Sequence, residues 1–307
     1  MRKYVENFKL RASYGALGNN NVGLYATKEI YNSANTAFGD KVQAGIVPGG
    51  FVNNELTWEK TRVLDIGVDI NFLKNFSLSV DFYNKETLNI LTSRPISYNN
   101  GTSSGPVING PKVRNRGVEF ELNYTGQIAQ GLGLQVSLNG ALNQNKVTEY
   151  QGKDKLIQGG GTPYGYIVEG QPIGKFYIMK VDHIVQSKDE IDAMSADGYR
   201  FGLGGIPGPG DFLFSDTYGD KRINENDRVL IGNPQPKFTF GANVGLNYKN
   251  IDFNVLFSGV LGWDRYINNQ FTSLSAHTVG YLYPKEFLNM YTDEKPSKDY
   301  PKVYTNN

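Results

Sequence analysis

Four residues in one stretch have the types and spacing for cation chemistry. Asp216, Asp220, Asn224 and Asp227 fall at the first, fifth, ninth and twelfth positions of a calcium-binding loop, where several oxygens must converge from one turn. Tyr218 and Lys221 break the pattern, because the third position asks for Asp or Asn and the sixth for Gly. The same residues are strong turn formers whose side chains accept bonds from nearby backbone amides, so Asx turns rank ahead of calcium. Lys221 and Arg228 also bring positive charge to the carboxylates without an ion. The inventory for catalysis is thin. His183 and His277 are the only histidines, and neither sits in a nucleophile or metal-ligand motif. No serine has a G-x-S-x-G context. Glu119 and Glu121 occupy alternate positions of one strand and read as solvated carboxylates rather than a glycosidase pair. Gly159, Gly160 and Gly161 lack the lysine and helix of a phosphate loop. With no Cys, thiolate chemistry is absent too. No catalytic residue and no cofactor other than calcium is expected, and the chain does not read as an enzyme.

The elements that carry these residues are strands. From 62 to 72, Leu64, Ile66, Val68, Ile70 and Phe72 share one face while Asp65, Gly67, Asp69 and Asn71 share the other. After a tight turn at 73 to 75, Phe76, Leu78, Val80 and Phe82 alternate with Ser77, Ser79, Asp81 and Tyr83. A second hairpin pairs the run Val118 to Tyr124 with Leu132 to Leu142 across a turn placed at Gly126 to Gly131. A third joins Phe238 to Tyr248 with Ile251 to Phe257 across Lys249-Asn250, and Phe8, Leu10, Ala12 and Tyr14 mark one more strand. These runs approach or exceed the roughly 9–11 tilted residues of a bilayer crossing, against the roughly 5–6 usual in soluble sheets. The connections alternate long (16–60, 89–115, 146–236) and short (73–75, 126–131, 249–250). Outer-membrane barrels keep short turns at one rim and long loops at the other. Tyr14, Trp58, Tyr83, Tyr124, Tyr248 and Trp263 lie near strand ends and fit interfacial girdle residues or, one by one, packing residues equally well.

Composition agrees with strands. The chain has 20 Tyr, 17 Phe and 36 Gly in 307 residues, a mix that favours strands and turns over helices. Lys plus Arg (31) balances Asp plus Glu (30), and the basic residues are dispersed, so nucleic acid is not expected as a partner. No apolar run reaches the roughly 18 residues of a membrane helix, but a barrel strand exposes only alternate residues to lipid, so a mean hydropathy of −0.42 is compatible with a membrane. The first residues enter a strand pattern directly and lack the apolar core of a signal peptide, so the chain taken as an intact gene product is not expected to be exported. The rival reading is a soluble or surface β-rich carbohydrate-binding module, whose stacking aromatics would explain the Tyr and Trp content equally well.

Several segments resemble, in order, the C-terminal barrel half of the SusC/RagA family of TonB-linked outer-membrane proteins. Phe8-Lys9-Leu10-Arg11-Ala12-Ser13-Tyr14-Gly15 is similar to its "KLRASYG" strand, Leu56-Thr57-Trp58-Glu59-Lys60-Thr61 to its "L-x-WEKT" entry, and Asn115-Arg116-Gly117-Val118-Glu119 to its "NxGxE" start. Gly174-Lys175-Phe176-Tyr177 resembles its "GxFY" segment. The most specific match runs from Gly210-Asp211 through Asp216, Gly219-Asp220, Ile223 and Asp227-Arg228 to Ile231-Gly232-Asn233-Pro234 and Pro236-Lys237-Phe238. The resemblance implies an all-β fold: an antiparallel, up-and-down transmembrane β-barrel portion, about seven or eight strands of a larger plugged barrel of about 22, with long extracellular loops. Residues 1–307 would then be part of a single TonB-dependent-receptor-type barrel domain and 146–236 a long extracellular insertion. The signal peptide, TonB-contacting segment and plug would lie before Met1, and the last strands after Asn307, making the chain a fragment. The implied function is import of nutrient oligomers, oligosaccharides or peptides, across a bacterial outer membrane. The implied partners are a SusD-like surface lipoprotein, TonB through the missing N-terminal part, and outer-membrane lipid.

Overall fold

The computed structural model describes residues 4–94, 96, 99, 105–150, 156–157, 166–202, 204–266 and 285–302. The chain divides into two compact units, residues 1–175 with 233–264, and residues 176–232 with 265–307.

The first unit is built on seven long strands: β1 (Val5–Asn19), β2 (Glu59–Phe72), β3 (Phe76–Leu88), β4 (Lys112–Ala129), β5 (Leu132–Glu149), β6 (Phe238–Tyr248) and β7 (Ile251–Leu261). They pair antiparallel in chain order as a meander, and among the described residues β1 and β7 are free edges of an open sheet. The alternation dictates the register. Leu64, Val80 and Phe120 stand on one face, and along it the ladder sets Val68 against Val80, Phe82 against Val118, and Val118 against Leu142. Asp69, Ser79, Glu121 and Asn139 line the other. A one-residue slip would exchange the faces, so the pattern fixes the pairing.

Tight connections close one end. At 73–75, Leu73 and Lys74 both adopt the left-handed backbone region, with φ of 51° and 65°. β4 runs on to Ala129, so its turn is only Gln130-Gly131, with Gly131 at φ 72°. The aromatic side chains of this end gather on the apolar face: the rings of Phe72 and Phe76 stack with centroids 5.3 Å apart, and Phe76 meets Tyr124 at 4.8 Å. At the opposite end the long connections carry their own pairs, Tyr31–Phe38 with Lys41–Pro48 and Leu91–Ser93 with Val107–Asn109. Beyond β5, residues 170–171 continue the ladder beside Val147, whose N–H donates to the Gln171 carbonyl at 2.8 Å. Val147 is fully buried with Val113 and Ile167, giving this end of the polar face a small apolar core.

The second unit has the opposite economy. Phe176–Met179 pairs with Arg228–Ile231, Val181–Ile184 with Phe212–Phe214, and Arg200–Phe201 runs parallel to Arg222–Ile223. The helix α1 (Lys188–Ala196) starts at Ser187, whose Oγ accepts from the Glu190 amide, and its first turn carries Asp189 and Glu190 against the positive end of the helix dipole. Its single fully buried side chain, Ile191, packs with Val185, Leu213 and Ile223.

Candidate functional site

The polar face of the sheet carries the most organised side-chain chemistry. Arg11 on β1 lies opposite Gly67 on β2. Its Nε donates to Asp69 Oδ2 at 2.8 Å and its Nη2 to Asp69 Oδ1 and Asp81 Oδ2, both at 2.9 Å. Ser79 Oγ donates to Asp69 Oδ1 at 2.8 Å and accepts from Arg11 Nη2 at 3.1 Å. The network exists because Gly67 has no side chain: a Cβ there would stand 2.0 Å from Asp81 Oδ1 and 2.8 Å from the guanidinium carbon. Two carboxylates around one forked cation make a rigid, bidentate arrangement rather than a reactive one.

Next to it, a cavity of about 310 Å³ is lined by Ser79, Asp81, Glu119, Glu121, Asn139 and Thr239. Farther along the same face, Tyr83 Oη donates to Asn143 Oδ1 at 2.9 Å and Asn145 Nδ2 donates to Asn115 Oδ1 at 2.7 Å. Tyr83 is therefore a polar-face residue and not part of an interfacial girdle. This wall of carboxylates, amides and hydroxyls offers hydrogen bonds to a hydrated polar solute. Sequence reasoning found the polar face but missed the Arg11 network, because only the register brings residues 11, 67, 69 and 81 together; the signal was a glycine among polar residues at inward positions.

In the second unit the four candidate calcium ligands spend their oxygens on backbone amides. Asp216 Oδ1 accepts from Gly219 at 2.6 Å and Oδ2 from Lys221 at 2.8 Å; Asp220 Oδ1 accepts from Arg222 at 2.9 Å; Asn224 Oδ1 accepts from Asn226 at 2.8 Å. Asp227 is completely buried, its Oδ1 taking the Tyr218 N–H at 3.0 Å and its Oδ2 the Asn224 N–H at 2.8 Å in a capping box. Burial pushes the Asp227 carboxyl up, but the amides of Asn224 and Tyr218 outweigh it and hold the group below the ordinary carboxylate range. Among the described residues no three acids or histidines are grouped to hold a metal ion.

His183 joins this unit's strand 181–184 to α1. Its Nδ1 lies 2.8 Å from Asp182 Oδ2, and its Nε2 contacts Glu190 Oε1. These two carboxylates, Asp182 first, raise the imidazole above its usual range. His277 and the 159–161 glycines lie outside the described residues.

The apolar outer face, the polar inner face and the one-sided loops define a transmembrane barrel wall. Residues 3–285 match the family described as TonB dependent receptor-like, beta-barrel, and the chain belongs to that family. Proteins of this family reside in the outer membrane. The chain is 32% identical over 265 residues to TonB-dependent receptor P3 of Formosa agariphila, covering 84% of this chain and 26% of that protein. It is 24% identical over 291 residues to TonB-dependent receptor SusC of Bacteroides thetaiotaomicron, covering 89% of this chain and 26% of SusC. The fold of the RagAB peptide transporter superposes with a TM-score of 0.71 at 21% identity, over 98% of this chain and 32% of that one. The chain thus spans about a quarter to a third of the length of the proteins it matches.

Proposed function

We propose that this chain supplies part of the barrel wall of a TonB-dependent importer that moves nutrient oligomers, oligosaccharides or peptides, across the outer membrane of a bacterium. The observation that carries the reading is the seven-stranded meander with one apolar and one polar face and every long connection at one end. A wall of this kind isolates a hydrated path from lipid, and the carboxylates and amides around Asp81, Glu119 and Asn139 would line that path. Among the described residues the sheet has seven strands and two free edges, and such a sheet completes a pore only with further strands, which in lipid must pair every edge. On this reading the rest of the importer supplies those strands, the plug and the TonB contact, and a SusD-like surface lipoprotein captures substrate above the long loops.

The test is to delete the gene that encodes this chain and follow uptake of labelled oligosaccharide and peptide pools, with and without a functional TonB. The expected result is loss of uptake of one oligomer class, reproduced by loss of TonB, together with a lipoprotein that co-purifies with the outer-membrane protein. Unchanged uptake of every pool would overturn the reading.

A further inference from the structure

The outer face has a feature that import does not use. β5 continues past the first residue of β6, and in the space beside its end the sheet forms a cavity of about 670 Å³, within the roughly 300–1,000 Å³ of ligand sites. Its outward part is apolar, where Phe82, Val118 and Leu142 stand side by side across three strands in the row that continues the lipid-facing face, while the amides of Asn143, Asn145, Asn233 and Gln235 line the rest. Its lip is basic, made by Arg116, Lys146 and Lys237, all three exposed. Arg116 Nε is held by Gln144 Oε1 at 2.7 Å, and among the described residues none of the three cations forms an ion pair.

The height of this lip is set by the strand. From Tyr124, in the aromatic cluster at the short-turn end, to Arg116, β4 rises about 20 Å along the membrane normal at about 3.3 Å per residue and a tilt of about 40°. That nearly spans the apolar band of about 25 Å, so Arg116 reaches the interface on the long-loop side, which is the cell exterior. Nearby outward positions hold Arg62 and Arg114 on the strands flanking β3, with Glu86 of β3 between them, a net positive charge. The inner wall at Asp69, Asp81 and Glu119 has the opposite character.

We propose that this cavity binds a phosphorylated glycolipid of the outer leaflet, its phosphate against Arg116, Lys146 and Lys237 and its acyl chains over Phe82, Val118 and Leu142. Exposed cations beside an apolar row match an amphiphile that is anionic at one end and hydrocarbon at the other. A soluble anion would have no use for that row, and a neutral lipid no use for the lip. The inference rests on the membrane reading above.

The test uses the intact outer-membrane protein that carries this chain, purified in detergent, delipidated and titrated with phosphatidylcholine vesicles containing monophosphoryl lipid A. Parallel titrations use the same glycolipid without its phosphate, and inorganic phosphate alone. The expected result is saturable binding of the phosphorylated lipid only, weakened about a hundred-fold by R116Q/K146Q/K237Q together and about five-fold by Lys237→Gln alone. Heat-modifiable migration reports whether each variant still forms its barrel. Lys237→Gln, which lies before the first residue of β6, provides the measurement if the triple variant does not fold. Equal binding of the dephosphorylated lipid, equal binding of inorganic phosphate, or unchanged affinity in folded variants would overturn the proposal and leave the import reading standing. Absence of the protein from the outer membrane would overturn both.

Discussion

Ile66 and Ile191 are the same side chain in opposite surroundings. Ile66, midway along β2, is 43% exposed, whereas Ile191 in α1 is 2% exposed. In the second unit Ile191 packs inward with Val185, Leu213 and Ile223, as a core in water requires. In the sheet the apolar row points out while the bidentate Arg11 network and the carboxylates lie on the other face. One chain therefore folds against two solvents, and the difference assigns the environment of each unit without any ligand or partner.

That contrast sets the order of expected effects. Truncating Ile191 to Ala leaves a void in a closed core and should cost about 2–5 kcal/mol, read as faster proteolysis within residues 176–232, while the same truncation at Ile66, whose place lipid can fill, should cost far less. Val68→Arg inverts the comparison: on a lipid-facing row it should cost about 2–4 kcal/mol in unfolding from bilayers, whereas a water-facing row would accept an arginine almost freely. Asp227→Ala leaves the amides of Tyr218 and Asn224 without acceptors and should cost about 1–3 kcal/mol, with loss of the ordered 216–227 turn in hydrogen exchange. Because the Asp227 carboxyl is depressed, its contribution is complete above the unfolded value of about 3.9 and fades as pH falls through the lower folded value. Calcium chelation should leave the turn's protection unchanged, since Asp216, Asp220 and Asn224 each already accept from a backbone amide. The smallest effect belongs to His183. Its raised pKa makes its contribution complete below about pH 6.5 and lost as pH rises through the folded value, so the second unit's melting temperature should decline across that range in the native protein and not in His183→Gln.

The strands of the sheet were legible because period-two alternation is local. β6, Phe238–Tyr248, coincides with its sequence boundaries. The turn read at 126–131 was too long because Gly126 resembles a breaker, yet in the ladder it sits opposite Leu134, and its missing side chain makes room for Tyr124 and Asn75. Between β5 and β6, alternation could not reveal strands of two to four residues or the helix α1, whose boundary signals, Ser187 followed by Glu190, are as short as the elements themselves. The Arg11 network and the basic cavity were invisible for a different reason: both combine residues from three or more strands, and composition shows neither register nor neighbours. Tyr83 shows the reach of alternation in one residue: period two put it on the face of Ser79 and Asp81, where it meets Asn143, while only the register could name that partner.

Lipid on one side of the sheet and water on the other can be read with site-specific labels, because residues 1–307 contain no cysteine. Single cysteines at Leu64, Asp65, Ile66, Val68, Asp69, Ile70 and Asn71 in the intact outer-membrane protein, each carrying a spin label, would report accessibility to oxygen dissolved in lipid and to a water-soluble nickel chelate. Oxygen should dominate at 64, 66, 68 and 70, and the chelate at 65, 69 and 71, alternating residue by residue along β2. Accessibility to the chelate at both sets of positions, or to neither reagent at either set, would contradict a sheet standing between lipid and water.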